Sequence, residues 1–412
     1  MNYVEETKCR ICGHDIVPVF DLGVLYESSF IALKDKEERA PLVLAECSNC
    51  ELIQLQHTVA LDSMYRKYWY RSGLNRSMKD DLKDVIMGAE SAYGELSDGD
   101  VVIDIGCNDG TMFDFYSNPN ITKIGYDPAN NLAEETTKHC NIFINDYFSP
   151  EDYNHEKAKI ITSIAMFYDL PDPKKFVSDI KSVLDDNGIW VIQFTDLLSM
   201  LKINAVDNIC FEHLEYYKLM DIVWLLNRFD LKLFDVEYNM VNGGSLRVYA
   251  CHSNSSKYRM SDELLQAMQT EIDYFDANPN YMKDFEDRID EINEKVNSFL
   301  AMFKSDGKKI YGLAASTKGN TLLQVLHLDS RNIIAIGDIN KDKFNLFTSG
   351  THIQIIPEQQ VFENKPDVLV ILAWHFTETF NKVTEKFVKD GGYVLYPLPK
   401  PYVLAKEGNF YL

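Results

Sequence analysis

Positive charge is scarce in this sequence: 41 lysines and arginines face 63 acids, for a formal net charge of −22. That deficit excludes sequence-independent nucleic-acid binding, which needs a basic stripe to neutralise phosphates. A small phosphorylated ligand needs only a few local cations and stays open. Long apolar runs are missing too, and none approaches the roughly 18 residues of a membrane span. Met1–Glu6 has neither the basic start nor the apolar stretch of a signal peptide. Low-complexity tracts and the G-x-G-x-x-G fingerprint of dinucleotide sites are absent. Of eight cysteines, Cys107, Cys140, Cys210 and Cys251 are scattered, which excludes a disulfide framework and fits a reducing cytoplasm. What remains is ordinary globular composition, 46% hydrophobic and 25% charged, in 412 residues, enough for two or three domains with real cores.

The other four cysteines form two pairs, Cys9-Arg-Ile-Cys12 and Cys47-Ser-Asn-Cys50. Each C-x-x-C turn sets two thiolates on one side of a knuckle, and two knuckles close a tetrahedron around zinc. Gly13 supplies the positive φ that such a knuckle needs. The 34 residues between Cys12 and Cys47 exceed zinc-ribbon spacing and predict an insert containing Asp35–Arg39 and Pro41. Residues 1–75 therefore read as a metal-stapled module of short strands, whose own core is too thin to stand unaided.

From residue 76 the text changes to alternating strands and helices, the signature of an α/β fold with a parallel sheet. Val101–Ile105, Lys123–Tyr126, Lys159–Ile164 and Gly188–Phe194 are the expected strands, with Pro173–Leu184 helical between them. Asp230–Asn239 and Ser245–His252 close this unit, 76–255, around a turn at Asn242–Gly244. In 256–304, Leu264, Met268, Ile272, Ile289, Ile292, Val296 and Leu300 recur at helical spacing, so two helices broken at Asn278–Asn280 form a connector. Residues 305–412 repeat the α/β pattern, with strands at Lys309–Leu313, Ile333–Asp338, Ile353–Ile356, Val368–Ala373 and Gly392–Tyr396. The expected architecture is a zinc module, a central Rossmann-like sheet and a second Rossmann-like domain.

The loop Asp104-Ile-Gly106-Cys-Asn108-Asp-Gly110 follows the first strand of the central unit. Its glycines let a ligand approach the backbone, and the helix start behind it favours an anionic group. Asp127, ending the next strand, can accept both ribose hydroxyls of an adenosyl ligand. An acid such as Asp104 at a strand end commonly orders the amino-acid end of S-adenosylmethionine. Asn145-Asp146-Tyr147-Phe148 lies where adenine would be gripped, Asp146 accepting its amino group and Tyr147 or Phe148 stacking; an ordinary turn fits the tetrapeptide equally well.

In Cys210-Phe-Glu212-His213-Leu-Glu-Tyr216-Tyr217, adjacent Glu and His offer a tunable proton acceptor, as abstraction beside a carbonyl requires. Tyr216 and Tyr217 could donate to an enolate oxygen. A capped and packed helix start explains the same residues. Tyr65-Arg-Lys-Tyr68-Trp-Tyr70 could wall a sugar-nucleotide pocket or bury a domain joint. Asn242-Gly-Gly-Ser-Leu-Arg247 sets a cation beside two glycines, suited to phosphate or carboxylate, or forms a plain hairpin.

Together these segments resemble the nucleotide-sugar C-methyltransferase family, whose members methylate C3 of a 4-keto deoxysugar carried on a nucleoside diphosphate. The resemblance runs through the C-terminal half in Gly312-Leu-Ala-Ala-Ser316-Thr-Lys318-Gly-Asn320-Thr, Asp338, Thr351-His352-Ile353 and Trp374-His375. It implies structural zinc on Cys9, Cys12, Cys47 and Cys50, and S-adenosylmethionine on Asp104, Gly106, Asn108, Gly110, Asp127, Asp146, Tyr147 and Phe148. It places the sugar nucleotide against Tyr68, Tyr217, Asn242, Arg247, Ser316, Lys318, Asn320, His352 and Trp374. Glu212 and His213 would then be the acid/base pair, with Tyr70 near the sugar.

Two departures shift that assignment. Many relatives carry a histidine where Met166 stands and a tyrosine where Cys210 stands, and neither replacement can move a proton in the same way. The base moves toward His213, with Tyr168 as a further candidate. O-methylation, a non-sugar acceptor, or a binding protein that has lost catalysis are the alternatives; intact Asp104, Gly106, Asp127, Glu212 and His213 weigh against the last. A cytoplasmic monomer or small homo-oligomer with a small-molecule partner, and no nucleic acid or membrane, is expected.

Overall fold

The structure is a computed structural model describing residues 3–412, apart from the side chains of Ser63, Asp152 and Asn242. Among the described residues no helix is long and apolar enough to cross a membrane.

Val101–Ile105 is buried at every position, as a central parallel strand covered on both faces must be. It lies in a seven-stranded sheet ordered Ile142–Ile144, Thr122–Tyr126, Val101–Ile105, Ala158–Ile164, Leu184–Phe194, Ser245–His252, Leu231–Asn239. The first five are parallel. Ser245–His252 inserts antiparallel between its neighbours. The chain winds outward from Val101–Ile105 in one direction, then restarts on its other side at Ala158–Ile164. That reversal opens a crevice beyond the carboxyl ends of these two strands. Helix Arg76–Tyr93 covers one face through Met78, Leu82, Val85, Ile86 and Ala89. Pro173–Val183 packs with Phe176, Val177, Ile180 and Val183 buried, its start set by Pro173 and an Asp172 cap.

A second sheet of nine strands is built around five parallel ones: Tyr393–Tyr396, Val368–Ile371, Ile310–Leu313, Ala335–Asp338 and Gln354–Pro357. A C-terminal hairpin, Tyr402–Ala405 with Gly408–Tyr411, extends one edge. The expected connector helices are Asp262–Ala277 and Tyr281–Ser305. Buried Glu271 docks the first of them by accepting from the Leu219 and Met220 amides at 2.7 and 2.9 Å. Those amides are orphan donors at the start of helix Leu219–Asn227.

The first 75 residues do not keep to themselves. Phe30–Ile31 pairs with Phe347–Thr348 and becomes the far edge of the nine-stranded sheet. In exchange, Glu215–Tyr216 leaves the central unit and pairs with Ile53–Gln54, completing the four-stranded sheet of the N-terminal segment. Arg10, inside the first cysteine knuckle, reaches across: it donates to the Leu55 carbonyl at 2.8 Å and faces buried Glu215 at 3.5 Å.

The four knuckle sulfurs converge within 4.8 Å of one another, and all four cysteines are free thiols. Cys9 and Cys50 lie 3.6 Å apart and Cys12 and Cys47 3.3 Å apart, near the roughly 3.8 Å edge of a tetrahedron with zinc–sulfur bonds of about 2.3 Å. Amides of Asn49 and Cys50 point at the Cys47 sulfur, at 3.4 and 3.5 Å, which favours a thiolate. The donor set fits structural zinc. Purified protein is expected to carry about one zinc per chain. Cys47→Ser should lose it and about 3 kcal/mol or more of stability in denaturant titration; full stability without metal would contradict the staple.

Candidate active site

A cavity of about 330 Å³ occupies the crevice at the end of the central sheet. Three parts of the chain wall it. Tyr65, Tyr68 and Tyr70, with Ser28, Leu61 and Ser72, come from the N-terminal segment; Ser316, Thr317, Lys318, Ala373, His375 and Phe376 come from the C-terminal domain; the remainder is the central unit.

On the central side the glycine loop is shaped by backbone sterics. Gly106 has φ +75°, and a Cβ there would come within 3.1 Å of Met166 Cγ. Gly110 has φ +78° and lies against the Thr136 carbonyl, 3.2 Å from a notional Cβ, so it shapes the loop without lining the cavity. Both oxygens of Asp127 are fixed, accepting from the Asn108 and Ala129 amides at 2.8 Å each. Asp104 accepts from Thr162 at 2.7 Å and is buried; burial first, then the Asp127 charge, pushes its carboxyl up to about 8. Asp146 pairs with Arg66 at 2.9 Å, and Phe148 packs edge-on to Tyr126. Asp104, Gly106, Asn108, Asp127, Asp146, Tyr147 and Phe148 all line the cavity and could hold the adenosyl ligand.

Facing them is a polar cluster. Tyr168 lies 4.2 Å, centroid to centroid, from His213. His213 Nδ1 donates to the Asn208 carbonyl at 2.7 Å, which fixes the tautomer and leaves Nε2 as an acceptor. Burial, then the charge of Lys318, pushes His213 down to about 3, so its imidazole is neutral at pH 7. Burial pushes Glu212 and Asp169 up instead. Glu212 Oε2 has no hydrogen-bond partner among the described residues. Lys318 donates to Asn208 Oδ1 at 2.5 Å.

Several residues expected to touch the acceptor lie elsewhere. Arg247 is buried behind the sheet, bonded to Gln193, Asp84 and Glu237 at 2.8 to 3.0 Å. Tyr217 sits in the core against Phe167 and Phe194. Asn320 donates to the Ser29 carbonyl, and His352 pairs with Glu37 at 2.7 Å on the outer surface. Trp374 donates to Asp207 at 2.9 Å and packs on Gly243, leaving its neighbours Ala373 and His375 to line the cavity. The Asn242 side chain falls outside the described residues. Ser316, Lys318, Tyr68, Tyr70, Tyr168, Glu212 and His213 are brought together. Sequence reasoning passed over Asp169, Asn208 and His375. His375 stood inside a quoted segment and Asp169 directly follows Tyr168, whereas nothing local marked Asn208.

Comparison with known proteins fits this tripartite site. A family model described as "C-methyltransferase C-terminal domain" matches residues 240–399, one described as "Methyltransferase domain" matches 70–236, and a zinc-binding domain model matches 9–65. Together the three models span most of the chain, with the C-methyltransferase C-terminal domain following the methyltransferase domain. As a methyltransferase dependent on S-adenosylmethionine, the chain is similar to the C-methyltransferase NovU of Streptomyces niveus, 25% identical over 98% of both chains. Among solved structures, an S-adenosylmethionine-dependent methyltransferase of Clostridium acetobutylicum is 12% identical and has a TM-score of 0.35, covering 43% of this chain and 92% of its own. Magnesium protoporphyrin IX methyltransferase of Synechocystis is 15% identical and also scores 0.35, covering 43% and 88%.

Assigning Asp104 to the donor's ammonium group has a pH consequence. With its folded value raised to about 8, the carboxyl is mostly protonated at pH 7, and a cation beside it favours ionisation. Binding of the methyl donor at pH 7 should therefore release a proton, read by calorimetry in buffers of different ionisation enthalpy. Binding without proton release would remove Asp104 from that role.

Proposed function

We propose that this C-methyltransferase acts on a nucleotide-linked keto-deoxysugar, removing a proton from the carbon beside the ketone and directing that carbon at the methyl donor. The observation that carries this reading is the bare, neutral Nε2 of His213, set in a cavity with the donor loop on one side and the C-terminal domain on the other. S-adenosylmethionine, when bound, supplies an electrophilic methyl group. The chain's residues do the rest.

A C–H bond beside a ketone is a weak acid, and its ionisation needs a base in reach and an environment that tolerates the enolate. His213 Nε2 is the base and Glu212 its neighbour in the acid/base pair, with Tyr168 stacked against the imidazole. Tyr68 and Tyr70 form the sugar wall. Ser316 caps helix Thr317–Val325 by accepting from the Gly319 amide, and this helix start opens on the cavity, where a diphosphate would be favoured.

The test separates proton removal from methylation. With a nucleotide-linked keto sugar in deuterated water and no methyl donor, the wild-type protein should exchange the proton beside the ketone. His213→Ala should slow that exchange by about 100-fold or more. Exchange at the wild-type rate in the variant would move the base elsewhere.

A further inference from the structure

We propose that Lys318 takes up the negative charge that forms on the acceptor's ketone oxygen, positioned by Asn208 and assisted by His375. The assignment rests on the keto-acceptor reading above.

Lys318 comes from the C-terminal domain and His213 from the central unit, yet one residue pins both. The Asn208 side-chain oxygen accepts from Lys318 at 2.5 Å, and its backbone carbonyl accepts from His213 Nδ1 at 2.7 Å. Asn208 is buried in the short turn Val206–Asn208. The preceding residue, Asp207, accepts from Trp374 Nε1 at 2.9 Å, so the turn is locked to the same C-terminal domain that carries the lysine. The distance from base to cation is thus set by a rigid joint.

An ammonium has three donors, and Asn208 takes one. Lys318 lines the cavity, as does His375, whose enclosed Nδ1 has no hydrogen-bond partner among the described residues. Burial pushes the Lys318 amine down, while Asp207, Asp169 and Glu212 lie within electrostatic reach and favour its charged form. A fixed cation and an unmatched imidazole, both brought to the cavity by the C-terminal domain, form an arrangement that gains most when charge develops nearby in a buried site.

The step balances as follows. The carbon–hydrogen bond beside the ketone breaks, its proton goes to His213 Nε2, and the electron pair spreads onto the ketone oxygen against the Lys318 ammonium. The Lys318 charge, which adds to burial in depressing His213, is offset once the oxyanion forms. His213 then holds the proton more firmly as the carbon gives it up. Lys318 would thereby serve both sides of the transfer. A lysine that only balanced buried carboxylates would leave this step untouched.

The experiment measures deuterium exchange beside the ketone at saturating sugar, without methyl donor, across a panel of nucleoside diphosphate-linked 4-keto-6-deoxyhexoses. Wild type, Lys318→Met and Lys318→Arg are compared, with sugar affinity measured by calorimetry and folding by thermal melting. Lys318→Met should slow exchange by about 100-fold at saturation, more than it weakens binding, and Lys318→Arg should recover part of the rate. Should Lys318→Met not fold, Lys318→Gln carries the same comparison. Wild type that exchanges no member of the panel removes the keto-acceptor reading and this assignment with it. Wild type that exchanges while the uncharged variant keeps pace overturns the Lys318 assignment alone.

Discussion

Strand exchange is the constraint on which the site depends. The N-terminal and C-terminal sheets share one hydrophobic core, and the cavity that they wall with the central sheet keeps its shape only if the three cannot drift apart. Phe30–Ile31 edges the C-terminal sheet and Glu215–Tyr216 edges the N-terminal one. The second exchange matters most for chemistry, because Glu212 and His213 lie immediately before it. The Leu55 amide donates to the Leu214 carbonyl at 2.8 Å, so the segment bearing the proposed acid/base pair is stitched to the same strand that Arg10 grips from the zinc knuckle. The metal module is therefore part of the wall that aims the site.

Charge follows the same logic. The protein is strongly acidic overall, and the cavity concentrates that tendency: burial pushes Asp104, Asp169, Asp207 and Glu212 up together. One buried amine, Lys318, stands among them. Taking so many carboxyl groups from water is costly unless charge is shared or suppressed. That arrangement suits chemistry that creates an anion beside Lys318, the only lysine or arginine among the described residues that line the cavity. Residues able to keep a proton off solvent surround the point where it must be removed.

Much of this was legible from sequence. Buried parallel strands read as unbroken apolar runs, and paired C-x-x-C turns and a glycine-bearing strand end have local spacing that survives without coordinates. The exchanged strands Phe30–Ile31 and Glu215–Tyr216 did not show, because two residues carry no periodicity and their partners are far away in the chain. Arg247 looked like a ligand beside two glycines, yet its partners Asp84 and Glu237 lie on other elements and bury it behind the sheet. Tyr216 and Tyr217 looked like donors to the acceptor, yet both end in cores, each in a different cluster. Asn208 could not be read at all, since its role exists only where two domains meet. With Met166 and Cys210 standing where relatives carry proton-transferring side chains, the proposed base is His213, fixed by a backbone carbonyl.

Product analysis tests the central claim most directly. After incubation with S-adenosylmethionine and a panel of nucleotide-linked keto sugars, NMR of the product should show a new methyl group on the carbon adjacent to the ketone. A methyl group on oxygen, or no methylated sugar from any member of the panel, would contradict the account.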